Sequence, residues 1–223
     1  MPTISAPSAV LLDSGGVLMQ PIGGRWNPRA DFEPTLLRHY PSITAEQFAA
    51  AIEVGEQFMA AAESTPDYDL YHAAMLESLG IQATADLLSE LTQPVPTNVV
   101  LELFDDVPAT LKALQARGVR MAVVSDAWPN LTQLHDDLGI HDYFEAYAIS
   151  AVLGCRKPDP RMYRHASDAL GLPPAACLFV DDHPDLVAAA IDLGYQGRWL
   201  NRDGRASAGV PAITSLSELI ELF

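Results

Sequence analysis

The stretch VLLDSGGVLM, residues 10–19, carries an apolar run into a carboxylate, Asp13, and then into two glycines. An Asp at the end of such a run is costly to desolvate unless something positive meets it. Glycines suit backbone that takes positive φ or approaches a ligand closely. Taken alone, the stretch also fits a strand-ending Asp that caps a turn. Two further stretches follow the same pattern: VRMAVVSD (119–126) leads into PNLTQLHDDLG, and ACLFVDD (176–182) leads into PDLVAAAIDLG. Shorter runs at 143–150 and 195–200 add two more strands. Continuous apolar strands alternating with helices indicate a parallel sheet covered on both faces. Its right-handed crossovers give a doubly wound, Rossmann-like α/β fold, with ligands beyond the carboxyl ends of the strands.

Residues 20–98 follow another pattern. TAEQFAAAIEVGEQFMAAAE (44–63) begins with a Thr44/Gln47 capping box and continues at helical spacing. DLYHAAMLESLG ends on Gly80, and TADLLSELTQPVP is stopped by Pro94 and Pro96. The expected organisation is a core of residues 1–19 and 99–223 with a helical domain, residues 20–98, inserted between its first two strands. Aromatic and Met positions there fit helix packing. GGRWNPR (23–29) and PDYDLYH (66–72) also offer Arg, Trp, Tyr and His to a small polar ligand, and surface packing explains them equally well.

The 223 residues carry a formal charge of −16 with 49% hydrophobic content. That charge argues against nucleic acid or an anionic membrane surface as partner. No apolar stretch approaches the roughly 20 residues of a membrane span. The N-terminal MPTISAPSAV has neither a basic region nor an apolar core, so a cytoplasmic location is expected. Cys155 and Cys177 lack ligand spacing and fit small buried thiols. Nothing in the sequence sets an oligomeric state.

Chemistry gathers at strand ends and an adjoining loop: Asp13, Ser125, Lys157 and the pair Asp181/Asp182. Singly, Ser125 or Asp182 fits a helix cap and Lys157 a solvated loop charge. Together they suit phosphoryl transfer, in which a carboxylate attacks phosphorus and a carboxylate-bound cation, a Lys and a hydroxyl hold the phosphate. Mg²⁺ takes one or two protein carboxylates, which Asp13 and Asp182 supply. Lys112, the other lysine, falls in the surface-like helix ATLKALQARG.

The set resembles the haloacid dehalogenase-like superfamily, subfamily I, with a helical cap between motifs one and two. LLDSGGVL is similar to its first motif, VVSDA to the second, GCRKPDPRMY to the third and FVDDHPDLVAAA to the fourth. The resemblance implies a phosphatase-type hydrolase of a small phosphorylated metabolite, with Asp13 as the nucleophile that becomes an aspartyl-phosphate. Catalysis would rest on Asp13, Ser125 and Lys157, and phosphate binding on Ser14, Ser125, Asp126 and Lys157. Mg²⁺ would be held by Asp13, the carbonyl of Gly15 and Asp182, with Asp181 as a water-mediated ligand or a supporting partner.

Two positions depart from the family pattern. The general acid/base Asp expected two residues after the nucleophile is Gly15, and the acidic or amide residue four after the metal ligand is Leu186, with Asp185 one position early. A missing general acid is worth about 10²–10⁴ in rate. A haloacid dehalogenase also lacks that Asp and works without metal; Arg25, Arg29 and Arg38 keep it open, while Asp181/Asp182 are expensive without a cation. The third reading is a non-catalytic phosphate-binding or regulatory protein. Phosphonate cleavage through a cap Lys is removed, because residues 20–98 contain no Lys.

Overall fold

The computed structural model describes residues 6–206 and 209–223. Among these, strands β1 (Ala9–Leu12), β4 (Arg120–Ser125), β5 (Ala146–Ile149), β6 (Cys177–Asp181), β7 (Gln196–Leu200) and β8 (Ala212–Ile213) form one sheet in the order β5-β4-β1-β6-β7-β8. Every pairing in it is parallel. From β1 the chain builds outward to β4 and β5, then returns to the other side of β1 for β6. The order therefore reverses at β1, and the crevice beyond its carboxyl end is where such sheets bind ligands.

Side chains alternate along each strand, and both faces are apolar. Val10, Leu12, Met121, Val123, Leu178 and Val180 enter one core; Ala9, Leu11, Ala122, Val124 and Phe179 enter the other. The first is covered by α5 (Val107–Ala116), α6 (Leu131–Asp137) and the C-terminal turn Leu216–Leu222; the second by α8 (Pro160–Ala169) and α9 (Pro184–Asp192). Leu12 is fully buried, and trimming such a residue to Ala costs about 2–5 kcal/mol.

Between β2 (Met19–Pro21) and β3 (Leu101–Leu103) lie, among the described residues, the helices α1 (Phe32–His39), α2 (Ala45–Ala61), α3 (Tyr68–Ser78) and α4 (Ala85–Leu91). The Thr44/Gln47 capping box forms as its spacing predicts. These helices bury an apolar cluster of their own, built on Phe32, Leu36, Phe48, Tyr71, Met75 and Leu76. A feature the sequence pattern did not reveal flanks them. β2 (Met19–Pro21) pairs antiparallel with β3 (Leu101–Leu103), so the chain enters and leaves the helical segment through one two-stranded ribbon. No helix among the described residues is long and apolar enough to cross a membrane. Cys155 and Cys177 are buried free thiols.

Candidate active site

Asp13 follows the last residue of β1, Ser125 ends β4 and Asp181 ends β6, so adjacent parallel strands deliver all three to one edge of the sheet. Lys157 arrives from the loop between α7 (Ser150–Leu153) and α8. Its side chain is only 2% exposed; the ammonium donates to Asp181 Oδ2 at 2.7 Å and lies 3.0 Å from Asp13 Oδ1. The approach to Asp13 has ion-pair distance without hydrogen-bond alignment, which leaves Oδ1 a buried acceptor with no hydrogen bond. Asp182 does not cap α9. The N-cap is His183, and the Asp182 carboxylate instead turns back onto Gly16. Gly16 has φ +75°, and a Cβ there would fall 2.4 Å from Asp182 Oδ2, so both conformation and space require glycine.

Carboxylate oxygens of Asp13, Asp181 and Asp182 lie within 4.8 Å of one another. Burial pushes Asp181 up to about 6 against the pull of Lys157. Burial, and then the charge of Asp13, also raise Asp182. Burial alone would lower Lys157, but Asp13, Asp181 and Asp126 together hold it above its ordinary value. One ammonium thus faces more negative charge than it neutralises. An excess of hard oxygen donors fits a divalent cation such as Mg²⁺, toward which Asp13, Asp181 and Asp182 can each turn a carboxylate oxygen.

Two predicted phosphate contacts are placed otherwise. The Ser14 hydroxyl is fully buried and engages His135 Nε2 at 2.7 Å, while His135 Nδ1 meets the Tyr147 hydroxyl at 3.1 Å. Burial pulls His135 down to about 4, so the imidazole is neutral near pH 7. Position 14 therefore offers an anion its backbone N–H and not its hydroxyl. The Asp126 carboxylate accepts the Lys157 N–H at 3.0 Å and anchors the loop that carries the lysine; a carboxylate there repels phosphate. Asp126 likewise offers only its N–H. Neither N–H, nor that of Gly15, has a backbone acceptor among the described residues. Leu186 packs against the second core and Asp185 is exposed, so neither supports a metal. Asp182 is steadied through its carbonyl, which accepts from Trp199 Nε1 at 3.1 Å and Arg205 at 2.6 Å.

The helical segment reaches this edge of the sheet. Thr65 Oγ1 bonds Ser150 Oγ at 2.5 Å, Trp128 Nε1 donates to the Pro66 carbonyl at 2.9 Å, and Arg156 donates to the Met59 carbonyl at 2.6 Å. Its arginines are engaged within it. Arg25 pairs with Glu33, Arg29 with Asp31 and Arg38 with Glu90.

A family model for haloacid dehalogenase-like hydrolases matches residues 8–194. An (S)-2-haloacid dehalogenase of Pseudomonas sp. is 31% identical over 126 residues, 54% of either chain. A phosphatase of Mycobacterium tuberculosis is 30% identical over 118 residues, 52% of this chain and 54% of that one. The chain thus matches about half the length of these curated relatives. A solved structure of a HAD phosphatase from Thermococcus onnurineus superposes with a TM-score of 0.66 at 19% identity, over 96% of this chain and 97% of the other. That of an L-2-haloacid dehalogenase from Xanthobacter autotrophicus gives 0.65 at 18% identity, over 97% and 98%. The structural likenesses speak to the fold.

Proposed function

We propose, because the chain belongs to the haloacid dehalogenase-like hydrolase family, that its reaction is Mg²⁺-dependent hydrolysis of a small phosphorylated metabolite through an aspartyl-phosphate on Asp13. The observation that carries this reading is the crowding of Asp13, Asp181 and Asp182 within 4.8 Å of one another, with a single buried ammonium at ion-pair distance from the first two. That arrangement is expensive unless a cation joins it. In this reading Asp13, Asp182 and the Gly15 carbonyl hold Mg²⁺, which supplies positive charge against the phosphoryl oxygens. Asp13 attacks phosphorus, the ester oxygen leaves with the bonding pair, and water then cleaves the acyl phosphate. Lys157 orients Asp13 and offsets phosphoryl charge. The Ser125 hydroxyl and the N–H groups of Ser14, Gly15 and Asp126 donate to the phosphoryl oxygens. Asp181 holds Lys157 in place. Residues 20–98 act as a cap that closes over the site and excludes water. A cytoplasmic location remains part of the proposal.

The dehalogenase reading has the Pseudomonas relative in its favour. It needs no acidic pair, and a free arginine for a substrate carboxylate is not offered by Arg25, Arg29 or Arg38, each already bound to an acid. Phosphate release from p-nitrophenyl phosphate, with Mg²⁺ and with EDTA, and chloride release from 2-chloropropionate separate the two. The expected result is Mg²⁺-dependent phosphate release that Asp13→Asn abolishes. Metal-independent chloride release without phosphatase activity would replace the proposal with the dehalogenase.

A further inference from the structure

Gly15 is a glycine for a reason different from that of Gly16. Its φ lies outside the left-handed region, so the backbone does not demand it. A Cβ there would meet Trp26 Cζ2 at 3.1 Å, Cη2 at 3.4 Å and Cε2 at 3.6 Å. The six-membered ring of the indole therefore fills the space a side chain at position 15 would take. Position 15 stands two residues after Asp13 and immediately before Gly16, against which the Asp182 carboxylate rests. Trp26 is nonetheless 41% exposed, so part of the ring rests on Gly15 and the remainder is open to solvent.

The loop that presents it is firmly held. Arg25 grips Glu33 with two bonds of 2.7 and 2.8 Å and donates to the Pro28 carbonyl at 2.9 Å. Arg29 pairs with Asp31 at 2.9 Å and donates to the carbonyls of Leu91 and Gln93 at 3.1 and 2.8 Å. A large flat apolar surface, held against Gly15 two residues from Asp13 by two charge clamps and partly exposed, is pre-organised to receive another flat surface.

We infer that Trp26 is the wall against which the leaving group lies, and that the substrate class is phosphate monoesters of aromatic alcohols. The inference rests on the phosphatase reading and deepens it. Gly15 contributes independently, because a site with no acid at that position favours a leaving group that departs unprotonated. An aryl oxygen does so. Asp13 Oδ forms the bond to phosphorus, the phosphorus–aryl oxygen bond breaks, and the aryloxide carries off the electron pair and takes its proton from water.

Calorimetric titration with phenylphosphonate and methylphosphonate in the presence of Mg²⁺ tests this without turnover. The wild type is expected to bind the phenyl compound about fivefold or more tightly. Trp26→Ala should bring the ratio near one, and Trp26→Phe should keep most of it. In parallel, kcat/KM for phenyl phosphate over glycerol phosphate should fall by a similar factor in Trp26→Ala. Equal affinity for both phosphonates in the wild type, or a ratio that Trp26→Ala does not move, overturns the role of Trp26 while phosphate release leaves the phosphatase reading standing. Binding of neither phosphonate, together with no phosphate release, overturns both.

Discussion

Replacing Lys157 by Met keeps most of the side-chain volume and removes the charge. The ammonium it deletes is buried between Asp181, 2.7 Å away and fully buried, and Asp13, 3.0 Å away. Without it Asp13 and Asp181 keep no side-chain cation at ion-pair distance among the described residues, and Asp182 keeps only the exposed His183 imidazole at 3.9 Å. Breaking a buried pair from one side costs about 3–5 kcal/mol. For a chain of this size each kcal/mol moves Tm by roughly 2–4 °C, so a fall of roughly 6–20 °C is expected. The sign with pH follows from the carboxylates. Burial already raises Asp181 and Asp182, and loss of the ammonium pushes these two further above the unfolded chain, so the folded variant binds more protons and its deficit shrinks as pH falls from about 7 to about 5. The assay is urea unfolding followed by circular dichroism, at both pH values and with EDTA to keep stray cations out of the site. Adding Asp181→Asn to Lys157→Met should return at least about 1 kcal/mol, because the two side chains are in contact and couple. A loss below about 1 kcal/mol that does not vary with pH would refute the electrostatic account of the site.

Asp182→Asn should weaken Mg²⁺ binding, measured by titration calorimetry, at least tenfold, within the range expected for damage to a metal shell; equal affinity would remove Asp182 from the metal site. Gly15→Asp restores an acid where the backbone tolerates it, provided the Trp26 ring, 3.1 Å from the new Cβ, gives way. Its gain in kcat/KM should be at least about tenfold larger for an alkyl phosphate than for the nitrophenyl ester. A wild-type leaving-group series with no slope would show that another residue already donates the proton. His72 is buried, and burial pulls its pKa down to about 4 from 6.5. It therefore stabilises the fold fully above about pH 6.5, and about 3 kcal/mol is lost as pH falls toward 4. His72→Phe should reduce the slope of the stability curve between those limits, leaving the share that His135 contributes over the same range; an unchanged slope would show that His72 does not titrate there.

Much of the sheet and the acidic cluster was legible because strand ends are marked twice, by an apolar run and by the polar residue that stops it. Asp13, Ser125 and Asp181 are such residues, and parallel pairing in register brings them together without further information. Lys157 could be picked out because it is one of only two lysines and stands in a loop. What stayed hidden depends on direction and distance. Ser14 follows Asp13 in sequence, yet its hydroxyl turns toward a histidine 121 positions away. GGRWNPR was legible as a stretch able to face a ligand, but the seat of Trp26 against Gly15 depends on a loop path set by Arg25 and Arg29, not on any periodicity. β2 and β3 have three residues each and β8 has two, too short for an alternating pattern to register.

The β2–β3 ribbon has a consequence for how such a chain can change. Met19 faces Leu103 and Pro21 faces Leu101 across an antiparallel pair, where partner Cα atoms stand about 5 Å apart. The excursion from residue 22 to residue 100 thus starts and finishes at nearly one point. Insertions, deletions or wholesale exchange beyond that point need not strain the strands beneath, since loop closure grows only logarithmically with length. The ribbon works as a graft junction, across which the helical segment can be replaced while Asp13 and Lys157 keep their places.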